Sequence, residues 1–316
     1  MSSAATHAGP ANRATQTALG TQAARGLSTT TKTPPQTEAV SPRWLLRVLP
    51  WIEAAGGTYR LTRTTRRAIE RRGSDQPGVV TAAGHAGEVR LPASFVDYEV
   101  PAREFTLGVA QTVLRVHTRV DELYSHPMSQ YEQQLRLTVE ALRERQEHEL
   151  LHNRDFGLLH NIEPRHSIRT RSGPPTPADL DSLVAKQTRP RYLLAHPRAI
   201  AAFSRQCNRA GIRPGTAEAD GRPVLSWRGV PMLPCDKLPI GPERETTILV
   251  LRPGEDRQGL VGLRPAELPD QVEPGVNVRR IGIDEQAVTS YLVSAYYSVA
   301  MLLPNSVCAL TGVGLD

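Results

Sequence analysis

Apolar positions are spaced unevenly along this chain, and their period changes several times. Residues 1–41 are dominated by Ser, Thr, Ala and Gly. They offer almost nothing to bury, so the entropy lost on ordering them would have to be offset by contacts with something else. The pattern predicts a flexible N-terminal arm. Immediately after it, the run from Pro42 to Ile52 gathers Trp44, Leu45, Leu46, Val48, Leu49 and Trp51 into one dense apolar patch. Residues 42–56 are therefore expected to be an anchor that docks on a core or on a neighbouring subunit, with Trp44 and Trp51 as its candidate contacts.

Between 57 and 104 the chain alternates short strand-like runs, Thr58 to Thr62, Glu88 to Leu91 and Phe95 to Val100, with Gly and Pro breaks. A basic stretch containing Arg66, Arg67, Arg71 and Arg72 lies among them. A segment of this length without a core of its own is normally disordered or pairs outside its domain, so an extended β excursion is expected. The run from Thr112 to Val120 alternates as a strand, with Thr112, Leu114, Val116, Thr118 and Val120 on one face.

The period then becomes helical. Ser129 with Glu132 three residues on forms a capping box, and a helix is predicted to about Asn153. Leu135, Val139, Leu142 and Gln146 form a narrow stripe, leaving Arg136, Arg143, Glu144, Arg145 and Glu147 on the solvated remainder. At 1.5 Å per residue this helix is on the order of 37 Å long, a spine for a domain. A second helix opens at Thr176-Pro177-Ala178-Asp179, with a Thr cap, Pro in the first turn and an early acid. After the strand Tyr192 to Ala195, a third opens at His196-Pro197 and stops at Gly211, with Ile200, Phe203 and Cys207 on its stripe.

Beyond that the period is two. Strands are predicted over Val224 to Trp227, Val230 to Leu233, Thr247 to Leu251, Leu260 to Leu263, Val276 to Ile283 and Tyr291 to Leu303. Helices and strands are segregated along the chain, which argues for an α+β fold over a parallel α/β sheet.

Composition changes this picture little. The 316 residues suffice for one large or two modest cores, and the net charge of +6 comes from dispersed charges of both signs. The three cysteines, Cys207, Cys235 and Cys308, form no C-x-x-C pair. That argues against a disulfide framework and a four-ligand zinc site, and for a reducing cytoplasm. No stretch approaches the roughly 18 consecutive apolar residues of a membrane span. The arm carries Arg13, Arg25 and Lys32 against Glu38, as a transit peptide might, but it lacks an amphipathic face.

One motif demands chemistry. His148-Glu149-Leu150-Leu151-His152 is a literal H-E-x-x-H, which on a helix places two imidazoles one turn apart with a carboxylate between them, the arrangement of a zinc hydrolase. No downstream ligand follows, because Asp155 and Leu158 occupy the positions of the extended motif's Gly and third His. The reading that wins is a solvated helix face. Cys207 lies on an apolar stripe, where an inert buried thiol is expected. The arginines between 60 and 72 would suit phosphate, but only Tyr59 interleaves with them, so nucleic acid is not the expected partner.

The order of elements resembles the tailed-phage major capsid fold shared by encapsulins. The helix opening Pro175-Thr176-Pro177-Ala178-Asp179-Leu180, the run Tyr192 to Arg198 and the stretch Trp227 to Pro239 look like encapsulin shell segments. The run Thr106 to Val120 and the segment Gly282-Ile283-Asp284-Glu285 look like family 2A. This resemblance implies an N-terminal arm (1–41), the anchor (42–56), an E-loop (57–104), a peripheral domain (105–187 and 276–316) and an axial domain (188–275). It implies a self-assembling icosahedral nanocompartment of about 60 copies, with no catalysis or cofactor of its own. The cargo would be a pyridoxal-phosphate-dependent cysteine desulfurase, the pyridoxal phosphate belonging to the cargo, with a role in sulfur metabolism. Trp44, Trp51, Arg66 and Arg67 would serve assembly. Glu218 and Asp220, on a loop between Arg213 and Gly221, would line a five-fold opening. The alternatives are a phage-type coat packaging nucleic acid and the zinc hydrolase.

Overall fold

A computed structural model describes residues 41–62, 64–65, 97–98, 102–117 and 130–316. Residues 1–40 of the arm, Arg66, Arg67 and most of the expected E-loop therefore lie outside the described residues, as do Ser129, Thr118 and Val120.

The chain begins with a short helix α1 (Trp44–Val48), strand β1 (Trp51–Ala54) and strand β2 (Thr58–Leu61), followed by the two-residue strands β3 (Thr64–Thr65) and β4 (Asp97–Tyr98). Strands β5 (Arg103–Thr106) and β6 (Gly108–His117) lead to the spine helix α2 (Gln130–His152). Then come β7 (Ser167–Arg169), α3 (Pro177–Ala185), β8 (Tyr192–Ala195) and α4 (Pro197–Arg209). The remainder is β: β9 (Gly215–Ala219), β10 (Arg222–Trp227), β11 (Val230–Pro234), β12 (Glu245–Leu251), β13 (Leu260–Pro265), β14 (Gln271–Glu273), β15 (Val276–Ile283), β16 (Val288–Met301) and β17 (Val307–Gly314).

Two sheets organise these elements. One has the order β1-β13-β16-β15-β14, with β6 also pairing β16; the other runs β7-β17-β12-β8-β11-β10-β9. The architecture is α+β. The expected segments divide the chain at 187/188 and at 275/276, but the sheets divide it otherwise. Strands β13 and β14, inside 188–275, belong to the six-stranded sheet, while β17, inside 276–316, lies between β7 and β12 in the other.

The spine helix is the shared core. It packs across β6 and β16, and its end joins a cluster drawn from both sheets. That cluster contains Leu150, Leu151 and Leu158, with Leu194, Leu233, Leu249 and Leu251 on one side and Val293, Ala295, Tyr297 and Val299 on the other. Leu150 and Leu151 are fully buried, each stabilising the fold by about 1.5–3 kcal/mol. The far face of the seven-stranded sheet is closed by α3 and α4, where Leu180, Leu183, Phe203 and Cys207 meet Leu193, Val250, Cys308 and Leu310. Thr176 caps α3 in a complete capping box with Asp179, which satisfies two otherwise orphaned backbone donors.

The far face of the six-stranded sheet is covered only in part. The β2–β5 hairpin lays Tyr59, Leu61, Phe105 and Leu107 over Val261, Leu263, Ala300 and Leu302. Elsewhere on this face Val109 and Val113 remain at least half exposed, and at the end of β15 so do Ile281, at a bulge, and Ile283, whose partner Thr289 sets it on the opposite face.

Candidate functional site

The H-E-x-x-H motif occupies the last turns of the spine helix, where it is neither a metal centre nor a solvated face. The rings of His148 and His152 stack with centroids 4.3 Å apart. His152 Nε2 lies 2.7 Å from the Lys237 carbonyl oxygen, so this nitrogen donates a proton there. Glu149 pairs with Arg145 and accepts a hydrogen bond from Asn153 Nδ2 at 3.1 Å. Among the described residues, no group of three His, Cys, Asp or Glu side chains could hold a metal ion. Burial, and then the neighbouring His152 and Arg145, hold the His148 imidazole below its ordinary pKa, so it is kept neutral.

One turn earlier, Glu147 departs most clearly from the sequence reading. Assigned to the solvated part of the helix, it is 1% exposed. Its Oε1 accepts the Leu45 backbone N–H at 2.8 Å, and its Oε2 lies 2.9 Å from Lys237 Nζ. Glu144 joins the same node, with Oε2 2.6 Å from Lys237 Nζ and Oε1 accepting the Ser41 backbone N–H at 3.0 Å. Ser41 Oγ also accepts from Lys237 Nζ. Burial alone would lower the Lys237 pKa, but hydrogen bonds and charges from Glu144 and Glu147 outweigh it and leave the ammonium raised. Periodicity cannot detect such a site, because Lys237 lies 90 residues from Glu147.

These contacts explain where the anchor goes. Trp44 and Leu45 are buried in the protomer's own core beside Val139 and Leu142; the dense apolar patch docks internally. Trp51 donates from Nε1 to the Leu46 carbonyl at 3.0 Å and packs on Gly262, where an added Cβ would sit 2.7 Å from the indole. Only glycine leaves room for that ring. The anchor thus fills a site within one chain.

The two expected pore acids do not lie on one loop. Residues 215–219 form β9, antiparallel to β10, and Glu218 is exposed on this edge strand opposite Pro223. Asp220 and Gly221 form a two-residue turn with φ of 52° and 71°, the signature of a type I′ hairpin. Asp220 pairs with Arg47 of α1, which turns this hairpin tip toward the anchor. Arg60 pairs with Glu104 across β2 and β5 at 2.7 Å.

The three cysteines are free and buried. Burial raises the Cys207 and Cys308 thiols, and burial followed by the Glu147 charge pushes Cys235 up to about 12. Such thiols stay protonated and are poor nucleophiles.

Comparison with known proteins gives a consistent result. A family model described as type 2A encapsulin shell protein SrpI-like matches residues 63–316. The chain is 44% identical over 303 residues to the type 2A encapsulin shell protein SrpI of Synechococcus elongatus, covering 96% of both chains. It is 42% identical over 300 residues, 95% of each chain, to the type 2A encapsulin shell protein of Mycobacterium leprae. Among solved structures, the cryo-EM structure of the holo-SrpI encapsulin complex from Synechococcus elongatus has a TM-score of 0.79 at 42% identity, covering 93% of this chain and 95% of that one. The capsid of the native GTA particle matches with a TM-score of 0.58 at 11% identity, over 90% of this chain and 96% of that one, a likeness in fold alone.

Proposed function

Because this chain belongs to the type 2A encapsulin shell family, we propose that it assembles with copies of itself into a closed compartment that encloses a cargo enzyme. The observation that carries this reading is the 44% identity to SrpI across 96% of both chains. Its relatives are named for a shell, not for a reaction, and its own most reactive-looking residues are committed to internal contacts, His152 to a carbonyl and Glu147 to Lys237. The function is geometric: repeated contacts between identical surfaces close a container.

Two further features support assembly. The six-stranded sheet leaves Val109, Val113, Ile281 and Ile283 in water, surface that a shell of copies has the means to cover. The capsid-like fold suits icosahedral closure, and a shell of about 60 copies is the simplest such case. In this reading the peripheral domain (105–187 and 276–316) and the axial domain (188–275) each contribute strands to both sheets.

The cargo reading follows from the family: a pyridoxal-phosphate-dependent cysteine desulfurase, hence a role in sulfur metabolism within the cytoplasm. In this reading the cofactor belongs to the enclosed enzyme. Light scattering on the chain expressed alone tests assembly, since a mass near one or two chains would refute it. Purification of the particles from native cells tests the cargo. A co-purifying enzyme that releases sulfur from cysteine is expected, and particles that instead carry nucleic acid, seen as an absorbance maximum at 260 nm, would replace this reading with a coat.

A further inference from the structure

The N-terminal anchor touches both sheets. The residue just before it, Ser41, is held by Lys237 and Glu144, on the loop after β11 and on the spine helix. Arg43 follows in the left-handed region at φ 51° and is fixed by Glu140 at 2.6 Å and Glu144 at 3.5 Å. Arg47 pairs with Asp220 at the tip of the β9–β10 hairpin in the seven-stranded sheet. Four residues later the chain joins the six-stranded sheet, β1 running parallel to β13 with Trp51 opposite Gly262. Residues 41–54 therefore run from one sheet to the other over the C-terminal half of the spine helix.

We propose that the Lys237–Glu147 pair is a lock that holds residues 41–49 as a strap across the seam between the two sheets, so that breaking it frees the strap while each sheet stays folded.

Three features single out this pair within the network. Glu147 is the member hidden from water, and it alone receives a backbone donor of α1, the Leu45 N–H. A buried carboxylate stripped of its cation is strongly disfavoured and draws in water or moves outward, taking its other partners with it. Lys237 is gripped at both ends by the spine helix, its ammonium by Glu144 and Glu147 and its carbonyl by His152. The left-handed Arg43 is a conformation that a bulky residue keeps only while its surroundings impose it, so a released strap has a reason to relax. The sheets have separate means of cohesion: β12, β8 and β17 are joined by their own ladders and by α3 and α4.

Hydrogen exchange followed by mass spectrometry on the full-length protein reads the lock directly. Lys237→Met is expected to raise exchange in peptides covering 42–49 by about tenfold or more, with peptides from β12 and β17 unchanged. A uniform rise over all peptides, or no change at 42–49, would overturn the proposal. Glu144→Gln, which keeps the Lys237–Glu147 pair, provides the second reading should Lys237→Met fail to fold. It is expected to loosen Ser41 and Arg43 while leaving Leu45 protected, and equal exposure of Leu45 would count against the lock.

Discussion

The seven-stranded sheet is closed on both faces, by α3 and α4 on one side and by the spine-helix core on the other. The six-stranded sheet is closed less completely: the β2–β5 hairpin covers only part of the face turned away from the spine helix, and the end of β15 is open on both faces. Strand β12 illustrates the first case, with four consecutive residues, Ile248 to Leu251, at 0% exposure. Strand β15 illustrates the second: Val276 and Val278 are buried, whereas Ile281 and Ile283 are 60% and 56% exposed. One sheet is finished within the protomer. The other carries apolar surface left open within the protomer, the kind of surface that contacts between copies can cover.

Substitutions that fall on the two sheets should therefore behave differently. The largest effect is expected from Phe203→Ala, which empties the closed face where Phe203 meets Trp227 edge-on at 5.1 Å. Chemical denaturation should show a loss of about 3–5 kcal/mol, and a loss below 1 kcal/mol would mean that this face is not tightly packed. Gly262→Ala attacks the six-stranded sheet where the anchor joins it. With Trp51 2.7 Å from the new methyl group, overpacking should cost about 1–3 kcal/mol, read as a lower thermal midpoint.

A smaller effect is expected from acid at the seam. His148 has a folded pKa below its ordinary value of 6.5, so the unfolded chain binds its proton more tightly. Its contribution to stability is complete above pH 6.5 and falls away as the pH drops through that value toward the lower, folded one. The groups facing it are His152, Arg145 and Glu149 on the same helix and Lys237 on the loop after β11. His148→Phe should flatten the pH dependence of the denaturation midpoint between pH 7 and 5; an unaltered slope would assign the acid sensitivity elsewhere.

The smallest effect on the protomer, and the one that separates the sheets most sharply, is expected from Ile281→Ser with Ile283→Ser. Exposed positions change stability by about 0.5 kcal/mol or less, so the denaturation midpoint should hardly move while the yield of assembled particles falls. Full assembly by this variant would show that the exposed end of β15 lies outside the contacts between copies.

Much of this arrangement is legible in the sequence. The capping box at Thr176, the opening of α4 at His196-Pro197 and the bounds of β8 and β15 follow from local rules. Strand β17 does not. Val307 to Leu310 are buried on both faces between β7 and β12, so the run Val-Cys-Ala-Leu lacks the alternation that marks a half-exposed strand. The membership of β13 and β14 in the other sheet, and the parallel pairing of β1 with a strand some 200 residues away, depend on topology that no local period encodes. Among candidate site residues, the motif at 148–152 was visible but its use was not. Its stacking and its bond to the Lys237 carbonyl, like the burial of Glu147, depend on a loop far away in the chain.

The most direct test of the central claim is negative-stain microscopy of the chain expressed alone and purified by size. Uniform, closed, hollow particles of virus-like size are predicted. A homogeneous monomer or dimer, with Val109, Val113, Ile281 and Ile283 left in water, would contradict the account.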